Sequence, residues 1–202
     1  MEFQDVINRR RMFRNYDPDR PVAKETVERI LRNGTRAPSA GFAQGLGYLV
    51  LTEPADRALF WEATNPPGPA SGYPAEATGS PQLHDAPVII VPLAHKQAYL
   101  DRYAQPDKGF PPDYEERWRV PHWYVDTAFG AMLMLLTVVD EELGALFFSI
   151  RDERTIHSAF GVPEAYDPIG AITIGYPDPN TKPPSRSNER RDFDDVVRWG
   201  RW

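Results

Sequence analysis

Proline placement sets the hardest limit on what this chain can fold into. Of its 21 prolines, eleven fall between Trp61 and Pro121, at positions 66, 67, 69, 74, 81, 87, 92, 106, 111, 112 and 121. Proline removes the backbone donor that a helix interior or a central strand needs, so most of this stretch is barred from long helix and central sheet. It is expected to form a covering excursion at about 61–121, interrupted by one buried strand over Ala86 to Ala94. Trp61, Tyr73, Tyr99, Tyr103, Phe110, Tyr114 and Trp118 lie within it, and so many aromatic side chains favour an ordered cover over a loose linker.

The remaining elements follow from periodicity. Phe3, Val6 and Ile7 predict a first helix. Ala23, Val27, Ile30 and Leu31 predict a second, with Gly34 as its C-terminal stop and Asp17-Pro18-Asp19 as the turn between them. Gly47 to Thr52 predicts a strand. From His122 to Leu143, Val125, Phe129, Met132, Leu133, Leu136, Val139 and Leu143 recur at helical steps, while Ala128, Ala131 and Leu135 make the other side apolar too. A helix of that kind is expected to be buried nearly all round, at a domain centre or in a subunit interface; the spacing leaves both open. Strands are expected over Ala145–Ile150 and Ile169–Tyr176, with a short helix near Thr155–Phe160. An apolar end (Phe193, Val196, Val197, Trp199, Trp202) on a polar tail implies docking, onto the same domain or a neighbour. The class is α+β or α/β, and 202 residues predict one domain over 1–202.

Composition removes several functions. With no cysteine there is no disulfide framework, thiolate metal site or cysteine nucleophile, which suits a cytoplasmic location. A net charge of -6 argues against nucleic-acid binding. The longest uncharged apolar stretch, Thr127 to Val139, is short of the roughly 18–20 residues of a membrane span, and no apolar leader follows Met1; no membrane association is expected. The four histidines (His84, His95, His122, His157) lack metal-ligand spacing, so no metal is expected. Gly41, Gly45 and Gly47 precede a strand, whereas dinucleotide loops follow one. Arg10, Arg11 and Arg14 are the cluster that carries chemistry. Arg10 and Arg14, four apart, are expected on one helix face, where guanidinium forks converge on an anion; the alternative is a solvated basic face paired with some of the 29 acidic residues.

Five blocks of the sequence resemble a known family. Arg10-Arg11-Met12-Phe13-Arg14-Asn15-Tyr16 is similar to the R-R-S-x-R-x-[FY] opening of the FMN-dependent nitroreductases, and Ala37-Pro38-Ser39-Ala40-Gly41-Phe42-Ala43-Gln44-Gly45 to their A-P-S-x-x-N-x-Q-P segment. Leu143 to Ser149 stands in the place of their G-L-G-[TS] strand, Phe160-Gly161-Val162-Pro163 resembles their LGIP, and Ile174-Gly175-Tyr176-Pro177 their IGYP. The order and spacing match across nearly the whole chain. The resemblance implies an α+β nitroreductase-like fold: a central, mostly antiparallel sheet flanked by helices, a long central interface helix and an extended C-terminal arm. It implies a homodimer with FMN at the subunit interface and NAD(P)H as reductant, passing hydride by a ping-pong cycle to a nitroaromatic, quinone or similar small-molecule acceptor. The protein then contributes no catalytic acid, base or nucleophile.

Carried over residue by residue, the resemblance puts Arg10, Arg11 and Arg14 on the flavin phosphate, joined by Arg190 or Arg191. Pro38, Ser39, Ala40 and Gln44 lie along the ring, and Phe148 and Ser149 in the third block also join the cofactor site. Trp118, Trp123 and Tyr124 are the candidates for the acceptor pocket. Three positions depart from the pattern: Met12 replaces the serine, Phe42 the asparagine that meets the flavin pyrimidine edge, and Gly45 the proline of Q-P-W. These departures suggest two alternatives, a flavin-binding or sequestering protein without turnover, or a relative with different flavin or deazaflavin chemistry.

Overall fold

Five strands form one antiparallel sheet: β1 (Leu46–Leu51), β2 (Val88–Ala94), β3 (Gly144–Phe148), β4 (Asp167–Pro168) and β5 (Ala171–Gly175), in the order β1-β2-β5-β3 with β4 also paired to β2. Seven α-helices accompany them among the described residues: α1 (Phe3–Arg9), α2 (Lys24–Gly34), α3 (Pro54–Thr64), α4 (Lys96–Tyr103), α5 (His122–Asp140), α6 (Arg154–Phe160) and α7 (Phe193–Val196). The computed structural model describes residues 1–64, 81–111, 115, 118–181 and 189–202. The fold is the expected α+β class.

Period-two alternation explains the layering. On β2, Ile89, Val91 and Leu93 join Leu146, Phe148 and Ala171 in a cluster completed by Phe60 and Trp61 of α3 and Ile156 of α6. The alternate residues, Val88 and Ile90, join Ile172 and Ile174 against Val27 and Ile30 of α2 and Met134 and Val138 of α5. Each of these large aliphatic side chains contributes about 1.5–3 kcal/mol on burial. Covering both faces is what makes β2 an uninterrupted apolar run.

Pro92 lies inside that central strand, where a missing donor is least tolerated. β5 pairs with β2 over Val88–Ile90 and β4 over Leu93–Ala94. Pro92 falls in the gap between them, where its carbonyl still accepts from Ile169 N–H at 3.0 Å. The lost donor therefore coincides with a break in the neighbouring strand.

Three expectations are revised. Two helices were not read from the sequence: α3 precedes and enters the excursion, starting on Pro54, where proline is harmless, and α4 lies within it between prolines. Residues 65–80, 112–114 and 116–117, with Tyr73 and Tyr114, lie outside the described residues. Gly34 is not a left-handed stop but the last residue of α2, and it allows close packing. A Cβ there would sit 2.8 Å from Met134 Cγ, and one on Gly130 would sit 2.4 Å from the Tyr48 hydroxyl. That hydroxyl, wedged between α2 and α5 without a hydrogen-bond partner among the described residues, has its pKa pushed up to about 12 by burial. Finally, α5 is not buried all round. Trp123, Asp126, Gly130, Met134, Thr137 and Val138 face the interior, whereas Ala128, Phe129 and Met132 are exposed. At 19 residues α5 has the length and hydropathy of a membrane span, but its inner face packs on α2 and β2.

Candidate functional site

The chain after α1 does not continue as a helix. Arg10 ends α1 with φ −57° and ψ 120°, and Phe13 N–H then donates to Ala145 C=O at 2.8 Å. Met12 bridges Ala145 in parallel, and Tyr16 bridges Pro177. The expectation that Arg10 and Arg14 share a helix face is corrected: backbone bonding to the sheet edge has replaced the helical ladder. Tyr16 anchors the segment. Its buried hydroxyl lies 3.0 Å from Phe13 C=O and 2.9 Å from Thr173 Oγ1 on β5, and desolvation holds the phenol far above its ordinary pKa.

Four of the described arginines are partly buried. Arg57 donates to Ala86 C=O at 3.1 Å, and Arg102 to Gly41 C=O and Asp107, each at 2.8 Å. Arg10 and Arg14 have no hydrogen bond or ion pair among the described residues. Next to them, the buried Asn15 Oδ1 also lacks a donor. Half-buried guanidinium groups without an acceptor carry an uncompensated desolvation cost; an anion removes it. Met12 packs against both core clusters, so the side chain standing where the family has serine belongs to the core edge. Arg11 and Arg190 are exposed and unpaired among the described residues, and Arg191 donates to Asp195 C=O at 2.9 Å. No hydrogen bond or ion pair among the described residues joins Arg190 or Arg191 to the 10–14 segment. Along the arm that carries them, Phe193 and Val196 are exposed, Trp199 is 84% exposed and Trp202 98%. The arm is not docked on its own domain.

The second part is the loop before β1, where Pro38 is exposed and Ser39 and Ala40 are half-buried. Ala40–Phe42 form a 3-10 turn, and Gly41 (φ 62°), Phe42 (φ 57°) and Gln44 (φ 53°) all take left-handed backbone. For the two residues with side chains this costs about 1–2 kcal/mol each, and such strain persists only where surrounding contacts enforce it. Here they do. Gln44 N–H donates to Ser39 Oγ at 3.0 Å, Ala40 N–H to Asp126 Oδ2 at 2.7 Å, and Arg102 Nε to Gly41 C=O. Glycines 41 and 45 are fixed by neighbours: added Cβ atoms would lie 2.7 Å from Tyr103 and 2.5 Å from Tyr99. The glycine cluster is therefore a packing surface for α4. Phe42 is left 74% exposed, and the exposed Gln44 side chain has no partner among the described residues.

Ala40 and Ala43 pack on a small cluster of Ala94, Tyr99 and Trp123, together with Trp118. The three pocket candidates thus lie near the loop but differ in access. Trp123 is 5% exposed and is a core residue, 6.3 Å from Tyr99 and 5.9 Å from Trp118 between ring centres. Trp118 is half-buried, 4.8 Å from the Tyr103 ring. Tyr124 is exposed and donates to Asp167 Oδ2 at 2.9 Å; burial first, then that bond, raises its pKa. Phe148 is likewise a core side chain, stacked 5.8 Å from Trp61, so of the third block's pair only Ser149 is exposed. Among the described residues no trio of histidine and carboxylate groups is arranged to hold a metal.

Sequence reasoning missed Asp126, Tyr99 and Arg102. Asp126 did carry a signal: between His122 and Val139 it is the one charged residue, and a lone carboxylate in an apolar helix has a buried partner or a task.

The nitroreductase family model matches residues 7–176. A Bacillus subtilis protein named as an NAD(P)H nitroreductase, YdgI, is 40% identical over 53 residues, covering 26% of this chain and 25% of that protein; the match spans about a quarter of its length. The crystal structure of Bacillus subtilis ydfN, described as a nitroreductase, superposes with a TM-score of 0.76 at 18% identity, covering 98% of each chain. A nitroreductase-named structure in complex with FMN, from Exiguobacterium sibiricum, gives 0.71 at 20% identity, covering 98% of this chain and 97% of that one.

Proposed function

Because the chain belongs to the nitroreductase family, we propose that it is an FMN-dependent oxidoreductase working as a homodimer with NAD(P)H as reductant. The observation that carries this reading is the pair of half-buried, unpaired guanidinium groups, Arg10 and Arg14, tied to the sheet through Phe13 and Tyr16. Their charge and fork geometry fit a phosphate monoester. Arg11 and, from the C-terminal arm, Arg190 or Arg191 complete the anion site; the second copy supplies the arm, since on its own chain it stands free. The exposed stripe of Ala128, Phe129 and Met132 on α5 is the matching apolar face for a subunit seam.

At the ring end the fit is altered. Phe42 has no polar group to offer, which leaves Gln44 and backbone amides of the loop to meet the flavin edge. Pro38, Ser39 and Ala40 form the wall, and Ser149 approaches from the end of β3. When bound, FMN supplies the redox chemistry, taking hydride from NAD(P)H and yielding it to an oxidised acceptor such as a nitroaromatic or quinone. The protein's own part is to hold the phosphate, fix the ring plane and limit water; Trp118 and Tyr124 are the accessible side chains for the acceptor. Purified protein should carry the visible absorption of oxidised flavin, and NADH or NADPH should bleach it within one turnover in stopped flow. A protein that remains colourless after incubation with FMN ends the proposal. Retained flavin that no nicotinamide reduces favours the sequestering alternative, which the exposed, non-polar Phe42 motivates.

A further inference from the structure

Asp126 is 3% exposed in the first half of an otherwise apolar helix, with no ion pair among the described residues. A buried carboxylate without a cation carries a desolvation penalty that only its hydrogen bonds offset. Its geometry suggests another purpose. One oxygen, Oδ2, accepts both the Ala40 backbone N–H at 2.7 Å and the Tyr99 hydroxyl at 2.9 Å. Tyr99 lies on α4, and one turn further along Arg102 donates from Nε to Gly41 C=O at 2.8 Å while its two terminal nitrogens hold both oxygens of Asp107 at 2.8 Å. Consecutive residues of the loop, Ala40 through its N–H and Gly41 through its carbonyl, are thus gripped by two different helices. Immediately beyond the grip the backbone is left-handed through Gly41, Phe42 and Gln44. A bond to a charged acceptor is short and strong, which suits a group whose task is to hold a strained segment.

We propose that Asp126, assisted by Tyr99 and Arg102, is a positioning residue that braces segment 39–44 in the form in which Gly41, Phe42 and Gln44 take left-handed backbone. The brace sets how firmly the segment seats the flavin ring and which way the exposed Phe42 ring faces. The inference rests on the reading that this loop lines the flavin, but the brace itself is a property of the chain with or without a ligand. It acts through backbone placement: no atom of Asp126 meets the reactants.

The test is peptide-level hydrogen exchange over residues 38–46 of the full-length protein, with and without added FMN, together with FMN affinity and the visible flavin spectrum. It compares wild type with Asp126→Ala, Asp126→Asn and Tyr99→Phe. Asp126→Ala should speed exchange in that peptide and weaken FMN by about tenfold, the worth of one hydrogen bond to a charged group, with a shifted flavin band. Asp126→Asn keeps an oxygen that can accept from both Ala40 and Tyr99, so it should restore both quantities to within about threefold of wild type. Tyr99→Phe, which leaves the carboxylate in place, should fall between the two and serves if Asp126→Ala folds poorly. Unchanged exchange at 38–46 overturns the brace. A rise shared equally by the β2 and β5 peptides also overturns it, since that marks loss of global stability. Faster exchange with unaltered FMN affinity and spectrum overturns the link to the flavin. Wild type that binds no FMN overturns the proposed function instead; the exchange contrast between Asp126→Ala and Asp126→Asn then still reports on the brace.

Discussion

The two ends of the candidate site are built on opposite principles. In the loop at 39–44 the backbone is gripped from both sides, through Ala40 by Asp126 and through Gly41 by Arg102, and strain is held in place by named bonds. At the arginine end the backbone is well anchored to the sheet, yet the guanidinium groups of Arg10 and Arg14 have nothing to bind among the described residues. One end is finished within a single chain. The other is finished only by a ligand and, on the reading proposed here, by the arm of a second copy. On the reading proposed above, the difference separates two kinds of preorganisation: shape where the ring would lie, charge where the phosphate would lie. Mutations at the two ends should therefore fail in different ways, the first through conformation and the second through affinity alone.

The largest expected effect is at the unfinished end. Deleting residues 193–202 removes Phe193, Val196, Trp199 and Trp202, all exposed on their own chain. The truncated protein should run at the monomer's mass in light scattering and lose its flavin on a desalting column. Intact elution and colour would place the arm outside both the seam and the site.

Next is Arg14→Ala, expected to weaken FMN by about 1.5–3 kcal/mol, roughly 10- to 150-fold, read by quenching of flavin fluorescence. Because Arg14 has no partner among the described residues, the apo-protein's stability should stay within about 0.5 kcal/mol; a large drop in its melting temperature would show that the arginine had a structural partner after all.

At the finished end the expectation reverses. Gly41→Ala places a Cβ on left-handed backbone 2.7 Å from Tyr103, and should cost about 1–3 kcal/mol in denaturant unfolding before any ligand is added. An unaffected midpoint would mean that the loop has room to relax.

The smallest effect concerns acid. Arg102's hydrogen bonds hold the Asp107 carboxyl below its ordinary value of 3.8. A depressed carboxylate contributes above its unfolded pKa and loses that contribution as pH falls through the lower, folded one. Near-ultraviolet circular dichroism of the Tyr103–Trp118 cluster should hold steady down to pH near 3.8 and change only below it. Asp107→Asn should show the acid-side signal already at neutral pH.

Much of the fold was legible because its periodicities are strong. The apolar run of β2 and the helical period of α5 each mark an element that the structure contains, although the steps of α5 through Phe129 and Met132 fall on its exposed side. α3 and α4 were not legible: proline density around them outweighed a weak helical pattern, although Pro54 at a helix start is neutral. The outward face of α5 was left open between core and interface, because an apolar residue looks the same in sequence whether it meets its own core or lies at the surface. At the site, the arginines were found by type and motif, but their backbone was assigned to a helix; the competing sheet edge lies at Ala145, far away in sequence. Trp123 and Phe148 were read as site residues by position along the chain, whereas burial assigns their rings to the core. Asp126 was visible as an oddity without a partner, because Ala40 and Tyr99 are 86 and 27 residues away.

Pro92 has a consequence for how the sheet assembles. A strand buried on both faces offers few cues to alignment, and sliding by a single residue would turn its whole side-chain pattern inside out. The imino acid works as punctuation against that error: if the later neighbour crept forward along β2, one of its carbonyls would meet a ring where it needs a donor. Misaligned pairings are thus penalised at the moment of zippering, before any side chain has packed.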